Sequence, residues 1–279
     1  MTQGIRYILF ATFAFAIMNV MAKQLSNFHP LQVIFFRAFG TWVFIFPYML
    51  YHKVPIKGTH VKPLIARGII GLLSLVCFFI AVQRIPLGSA ISIRYLGPIF
   101  GAGLAYYYLK EKVNWMQWLS FAVAFSGVII LKGFDIRIDF LSLSLLITSA
   151  ILVGGVFVLL RFLGDKEHYL TIINYFMTCS LALSLFFIPY WSMPIAGEWI
   201  SVCGIGIAGL VGQVYMTKAF QTEETSVLAP FKYMELIYAI IMGYLIFGET
   251  YELLPMMGII LIIGGMLSNV WAKGKLKTT

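Results

Sequence analysis

At 279 residues, 61% hydrophobic and only 11% charged, with a mean hydropathy of +0.91, the chain lacks the polar residues needed to cover a water-soluble globule, so a bilayer is its expected environment. A net charge of +9 would suggest a nucleic-acid partner in a soluble protein. Here most Lys and Arg fall in short loops between apolar runs, where they orient membrane helices instead, and no nucleic acid is expected as a partner.

A spanning helix needs about 20 largely apolar residues. Ten segments qualify, at roughly 5–24, 30–51, 63–83, 88–109, 114–132, 139–162, 169–189, 197–219, 226–247 and 253–272. The first is expected to be retained rather than cleaved as a signal peptide, because it has no clear small-residue cleavage site and many spans follow it. The spans divide five and five, with a break near 133–139. Residues 1–133 and 139–272 are therefore the expected halves, followed by a basic tail at 273–279.

The halves resemble each other. An ungapped shift of 138 residues lays Arg94-Tyr95 on Lys232-Tyr233 and pairs Gly68 with Gly206, Gly71 with Gly209, Gln83 with Gln221, Glu111 with Glu249 and Gly127 with Gly265. Self-similarity at a long fixed spacing within apolar helices marks a duplicated membrane protein. An odd number of spans per half forces the second half into the opposite orientation, which predicts an all-α membrane protein of ten helices in two inverted repeats.

Loop cations set the orientation. Thirteen lie on the side that carries both termini (Arg6, Lys53, Lys57, Lys62, Arg67, Lys110, Lys112, Arg161, Lys166, Lys218, Lys273, Lys275 and Lys277), against four opposite, Lys23, Arg84, Lys132 and Arg137. The positive-inside rule then predicts cytoplasmic termini and a multi-pass protein of the inner membrane. Tyr190, Trp191, Trp199, Trp115 and Trp118 flank spans as interfacial anchors would. Cys77, Cys179 and Cys203 lie in apolar runs without metal or disulfide spacing, and no metal or other cofactor is expected.

Three cations remain inside helices: Arg37, Arg94 and Lys232. A charge near a helix centre costs about 2.5–3.5 kcal/mol on insertion scales, so it faces a partner or a wet cavity. By helical rise, Arg37 and Arg94 fall in the outer half and Lys232 in the inner half. The inverted repeat makes Arg94 and Lys232 equivalent positions on one central cavity, although snorkelling to an interface or bonding to the carbonyls of a broken helix would also account for such cations. Glu235, three residues after Lys232, is the one acid well inside a helix. It is either a neutralising partner for Lys232 or a proton-binding carboxylate. Tyr95 and Tyr233 follow the cations and point about 100° around the helix, which makes them candidate wall residues. Asn19, Asn174 and Gln213 are the other mid-helix polar groups, suited to bonding across helix interfaces or touching a ligand. Pro98 removes a backbone donor inside the fourth span and predicts a kink there.

Several motifs resemble the drug/metabolite transporter superfamily, specifically its EamA-type family of two five-helix repeats. They are Leu87-Gly88-Ser89-Ala90 opening the fourth span, Gly97-Pro98 within it, Leu109-Lys110-Glu111 closing it, Ser126-Gly127 in the fifth, and Gly248-Glu249 and Gly264-Gly265 in the second half. Arg37 and Lys23 resemble the arginine and lysine of the family's second and first helices. In contrast, Phe15-Ala16 stands where the family often has Trp-Gly, and Leu236 where the repeat predicts a proline. Pro230 lies six residues earlier, which moves the expected break of the ninth span toward the cytoplasm.

The resemblance implies a secondary transporter that moves a small organic metabolite by alternating access. Three buried cations against one acid leave a formal excess of +2 and favour an anionic or zwitterionic cargo. The alternative is a proton-coupled exporter of cationic or amphipathic drugs, with Glu235 carrying the proton. A membrane-embedded enzyme or a receptor is a weaker reading: His29, His52, His60 and His168 sit in or beside loops, Glu235 has no acidic partner, and no GxxxxGK[ST] motif supports ATP coupling. The expected partners are a small-molecule substrate and the lipid bilayer, and homodimerisation stays open.

Overall fold

A computed structural model describes residues 3–109, 115–222 and 231–275 of the chain. Among them there is no β-strand, and the helices in chain order are α1 (Gln3–Gln24), α2 (Pro30–Tyr51), α3 (Val61–Val82), α4 (Leu87–Arg94), α5 (Gly97–Leu109), α6 (Trp115–Phe134), α7 (Phe140–Leu163), α8 (Tyr169–Leu185), α9 (Trp199–Thr222), α10 (Met234–Phe247) and α11 (Leu253–Lys275). With α4 and α5 joined end to end as one broken span, these make ten spans. Five of the described helices are long and apolar enough to cross a membrane, and α6, α8, α10 and α11 carry shorter apolar stretches, Trp118–Leu131, Tyr169–Leu185, Met234–Phe247 and Leu253–Gly265. Large apolar side chains such as Phe10, Phe44, Leu73, Ile129 and Ile260 stand exposed on the outside of the bundle. That inversion of the soluble pattern is expected where hydrocarbon, not water, is the solvent.

Local signals set the helix ends. Spans two and seven both start under a histidine: the His29 ring accepts from the Leu31 N–H and the His168 ring from the Leu170 N–H, and Pro30 occupies the first turn of α2, where its missing donor costs nothing. Gly248 closes α10 in the left-handed region at φ 62°, a conformation that a side chain would strain.

Packing follows the duplication. α1 runs against α9, and its repeat equivalent α7 against α3; α2 meets α8, and α6 meets α11. Small residues set the crossings, as expected where apolar side chains gain little by leaving lipid. A Cβ on Gly40 would come within 2.7 Å of the Gly206 Cα, so α2 and α9 touch backbone to backbone. The matched pair Gly127 and Gly265 does the same for α6 and α11: a Cβ would fall 2.7 Å from the Gly258 carbonyl oxygen in the first case and 2.7 Å from the Ala124 nitrogen in the second. α3 and α7 are joined by Ser74 and Ser149, whose hydroxyls lie 2.9 Å apart and also bond each other's carbonyls.

Candidate functional site

The fourth and ninth spans are interrupted at matching places. α4 stops at Arg94, Tyr95 and Leu96 form a turn, and α5 starts at Gly97. Pro98 has no N–H to offer the Arg94 carbonyl, so the helix cannot run through at that point. In the ninth span Phe231 and Lys232 are helical, Tyr233 is a turn, and α10 starts at Met234. A break thus falls at the repeat equivalent of Tyr95; Pro230, where the sequence places one, lies outside the described residues. The Leu236 N–H turns to the Tyr233 carbonyl at 3.0 Å, which leaves the Lys232 carbonyl free, and the Tyr95 hydroxyl lies 2.8 Å from it.

The two breaks face each other. The rings of Tyr95 and Tyr233 are 5.2 Å apart. Glu235 sits in the first turn of α10, where the positive end of the helix favours a carboxylate. Its Oε2 lies 2.8 Å from the Tyr95 hydroxyl, and its Oε1 accepts from the Asn19 amide at 3.0 Å. One phenolic proton serves the carboxylate and the Lys232 carbonyl alternately. Lys232 and Glu235 are three residues apart across the break, and no ion pair within 4 Å joins them among the described residues. The carboxylate is held by neutral donors instead.

Beside this junction lies a cavity of about 130 Å³, with Arg37, Arg67, Arg94, Lys232 and Glu235 on its wall together with Tyr95 and Gln213. Each cation rests on an aromatic face: Lys232 Nζ is 4.6 Å from the Phe157 ring centre, Arg94 Cζ 4.2 Å from Phe78, Arg67 Cζ 4.4 Å and Arg37 Cζ 5.2 Å from Phe176. Arg37 Nη1, Arg67 Nε and Nη1, and Arg94 Nε are buried without a hydrogen-bond partner. Arg37 Nε reaches only the Met18 sulfur, a weak acceptor, at 3.1 Å.

Most of the sequence candidates meet here, but not all. Arg37, Arg94, Tyr95, Gln213, Lys232 and Glu235 line the cavity; Asn19 stands behind Glu235. Tyr233 packs on Tyr95 outside the lining, and Asn174 is buried on α8 with its Oδ1 unpartnered, also outside it. Arg67 and Phe176 are among the wall residues that the sequence did not single out. Arg67 counts as a loop cation in the sequence, yet it is 3% exposed and as deep as Arg37. α3 begins at Val61, which puts Arg67 nearly two turns inside, so the depth criterion that singled out Arg37 would have found it. Phe176 carries no sequence signal, because an apolar span contains many aromatics.

A second polar cluster ties one end of the bundle. Where α1 finishes, Lys23 pairs with the buried Glu249 and donates to the Ile85 carbonyl at 2.8 Å. Glu249 also accepts from the Leu87 N–H at 2.9 Å and from the Tyr251 hydroxyl at 3.3 Å. Arg137 forms a fork with Asp135 at 2.8 and 3.0 Å. α1, the start of α4 and the loop after α10 are thereby locked together.

An all-helical bundle of two inverted halves, with broken spans and a charged cavity between them, defines a membrane transporter built by duplication. The sequence model of the EamA-like transporter family matches residues 2–132 and 140–271, and the chain belongs to that family. It is 29% identical over 266 residues to the pseudopaline exporter CntI of Pseudomonas aeruginosa, covering 94% of this chain and 93% of that one. It is 25% identical over 281 residues to the S-adenosylmethionine uptake transporter of Rickettsia prowazekii (98% and 94%), and 27% identical over 271 residues to human solute carrier family 35 member G1 (88% and 73%). A solved crystal structure at 16% identity superposes with a TM-score of 0.70 over 99% of this chain and 100% of its own, which supports the fold alone. The role is small-molecule transport in a membrane rather than catalysis.

Proposed function

We infer that this chain is a secondary transporter that moves an anionic or zwitterionic metabolite by alternating access at the cavity between its halves, in an inner membrane and with cytoplasmic termini. The observation that carries the charge preference is the wall itself: among the described residues it has four cations against one acid, with unpartnered guanidinium nitrogens buried beside the cavity. Buried cations without anions are costly, and a carboxylate or phosphate would satisfy them. The Lys23–Glu249 lock supports alternating access, since closure at one end must be made of contacts that can break. The relatives include one named for export and one for uptake, so direction is not carried over from either.

A thermal-shift screen of the purified protein tests this reading, because a ligand of the folded state raises its apparent stability. Carboxylates are expected to stabilise it and quaternary ammonium ions are not; the reverse result would reject an anionic cargo.

The second reading, proton-coupled export of a cationic or amphipathic drug, is favoured by Glu235 in its aromatic surroundings. In both readings Glu235 is the proposed coupling residue, since among the described residues it is the sole wall group that can take up a proton as a carboxylate. Glu235→Gln is expected to abolish pH-driven uptake while leaving substrate exchange intact. Unchanged pH-driven uptake would leave Glu235 as a structural acceptor for Asn19 and Tyr95.

A further inference from the structure

The four wall cations are not equivalent. Arg94 and Lys232 flank the breaks near Glu235, whereas Arg37 and Arg67 stand on α2 and α3; none of the four has a carboxylate within ion-pairing distance among the described residues. These two arginines share one ring: Phe176 of α8 lies 4.4 Å from Arg67 Cζ and 5.2 Å from Arg37 Cζ. Both are 3% exposed, and three of their nitrogens have no partner. The backbone makes room for them at a matched pair of glycines. A Cβ on Gly71 would sit 3.0 Å from Arg67 Nη1 and 3.3 Å from the Phe176 ring, and one on Gly209 would sit 3.1 Å from Arg37 Cγ.

Two like charges that rest on one aromatic ring repel each other, and the ring's quadrupole offsets only part of that cost. A snorkelling or purely structural arginine would bring its nitrogens to an interface or a carbonyl, whereas Arg37 Nη1 and Arg67 Nε and Nη1 are buried with no acceptor. An anion between the two guanidinium groups satisfies both. The other anchors are different rings, Phe78 for Arg94 and Phe157 for Lys232, on α3 and α7, which gives the wall a second place for negative charge.

We propose that Arg37, Arg67 and Phe176 form an anion subsite separate from the Arg94–Lys232 position, and that the substrate is a small molecule with two spaced anionic groups such as carboxylates. This rests on the anionic-cargo reading above and narrows it. One carboxylate seats in the fork of Arg37 and Arg67, and the other between Arg94 and Lys232, with Glu235 limiting the net charge there.

Purified protein in detergent is titrated with α,ω-dicarboxylates from succinate to pimelate and with the monocarboxylates of equal chain length. At the best chain length the dicarboxylate is expected to bind roughly ten- to hundredfold tighter, the size of one charged hydrogen-bonded contact. Arg67→Gln is expected to erase that ratio by weakening the dicarboxylate alone. Arg67→Lys, which keeps the charge and helps the fold to survive, is expected to keep part of it. Absence of a dicarboxylate advantage at every length overturns the subsite. If monocarboxylates then bind equally well, the anionic-cargo reading stands alone; if only quaternary ammonium ions bind, both readings fall. An advantage that survives intact in folded Arg67→Gln also overturns the assignment.

Discussion

The hydroxyl of Tyr95 lies 2.8 Å from the carboxylate of Glu235, 140 residues further along the chain, and 2.8 Å from the carbonyl of Lys232. One phenol on the broken fourth span thus holds the broken ninth span at two points. The repeat makes Tyr95 and Tyr233 equivalent in sequence, yet their roles differ: Tyr95 bonds the acid, while Tyr233 packs on the Tyr95 ring.

Tyr95→Phe removes that link with little change in shape. A buried carboxylate oxygen and a helix-end carbonyl lose the one donor they share, at a cost of about 1–3 kcal/mol. Denaturant unfolding in detergent micelles is expected to show that loss, and Glu235→Gln combined with Tyr95→Phe is expected to cost less than the sum, because both changes remove one contact.

Breaking the Lys23–Glu249 pair should be worse than removing it. Glu249→Gln leaves Lys23 beside Ile85 with no counter-charge, and a loss of about 3 kcal/mol is expected for a pair this buried. The double variant Lys23→Gln/Glu249→Gln has no stranded charge and should recover part of the melting temperature. A double variant less stable than either single one would show that the residues act independently.

Glycine contacts at the α6–α11 crossing predict a symmetric effect. Gly127→Ala and Gly265→Ala each drive a methyl against backbone that cannot step aside, and overpacking of this kind costs roughly 1–3 kcal/mol. Melting temperatures of the two variants are expected to fall by similar amounts, since the residues are repeat equivalents in mirrored contacts. Gly103→Ala, whose Cβ would meet nothing within 4 Å, is the control and should not destabilise.

Acid should loosen the loop between α2 and α3. Glu167, between α7 and α8, accepts from the Thr59 N–H at 2.7 Å and the Thr59 hydroxyl at 2.6 Å, and from the His60 N–H. Desolvation pushes its pKa upward, but these donors together outweigh it and bring the value down from 4.5 to about 2. A depressed pKa means that the carboxylate's contribution is complete above about pH 4.5 and is lost as the pH falls toward 2. Protection factors of the Thr59 and His60 amides, taken against the intrinsic exchange rate at each pH, are expected to fall over that window in the native protein and to be low throughout it in Glu167→Ala.

Much of the architecture was legible without coordinates. Apolar runs of membrane-crossing length specify helices, because a backbone in hydrocarbon must satisfy its own hydrogen bonds. The 138-residue echo specifies two halves, and their odd number of spans inverts one against the other. Depth along a helix was enough to pick out Arg37, Arg94, Lys232 and Glu235, since a charge in that position is too costly to be incidental. Rotation about a helix and contact between distant spans are not encoded in depth. The tertiary structure alone decided that Lys232 does not pair with its own neighbour Glu235, that Tyr95 rather than Tyr233 reaches the acid, and that Asn19 completes its shell. It also moved Arg67 from the loop count to the cavity wall, where both Arg67 and Arg37 rest on the Phe176 ring. Each of those facts depends on which faces of α1, α3, α8 and α10 converge, and that is fixed by glycine-mediated crossings between halves far apart in the sequence.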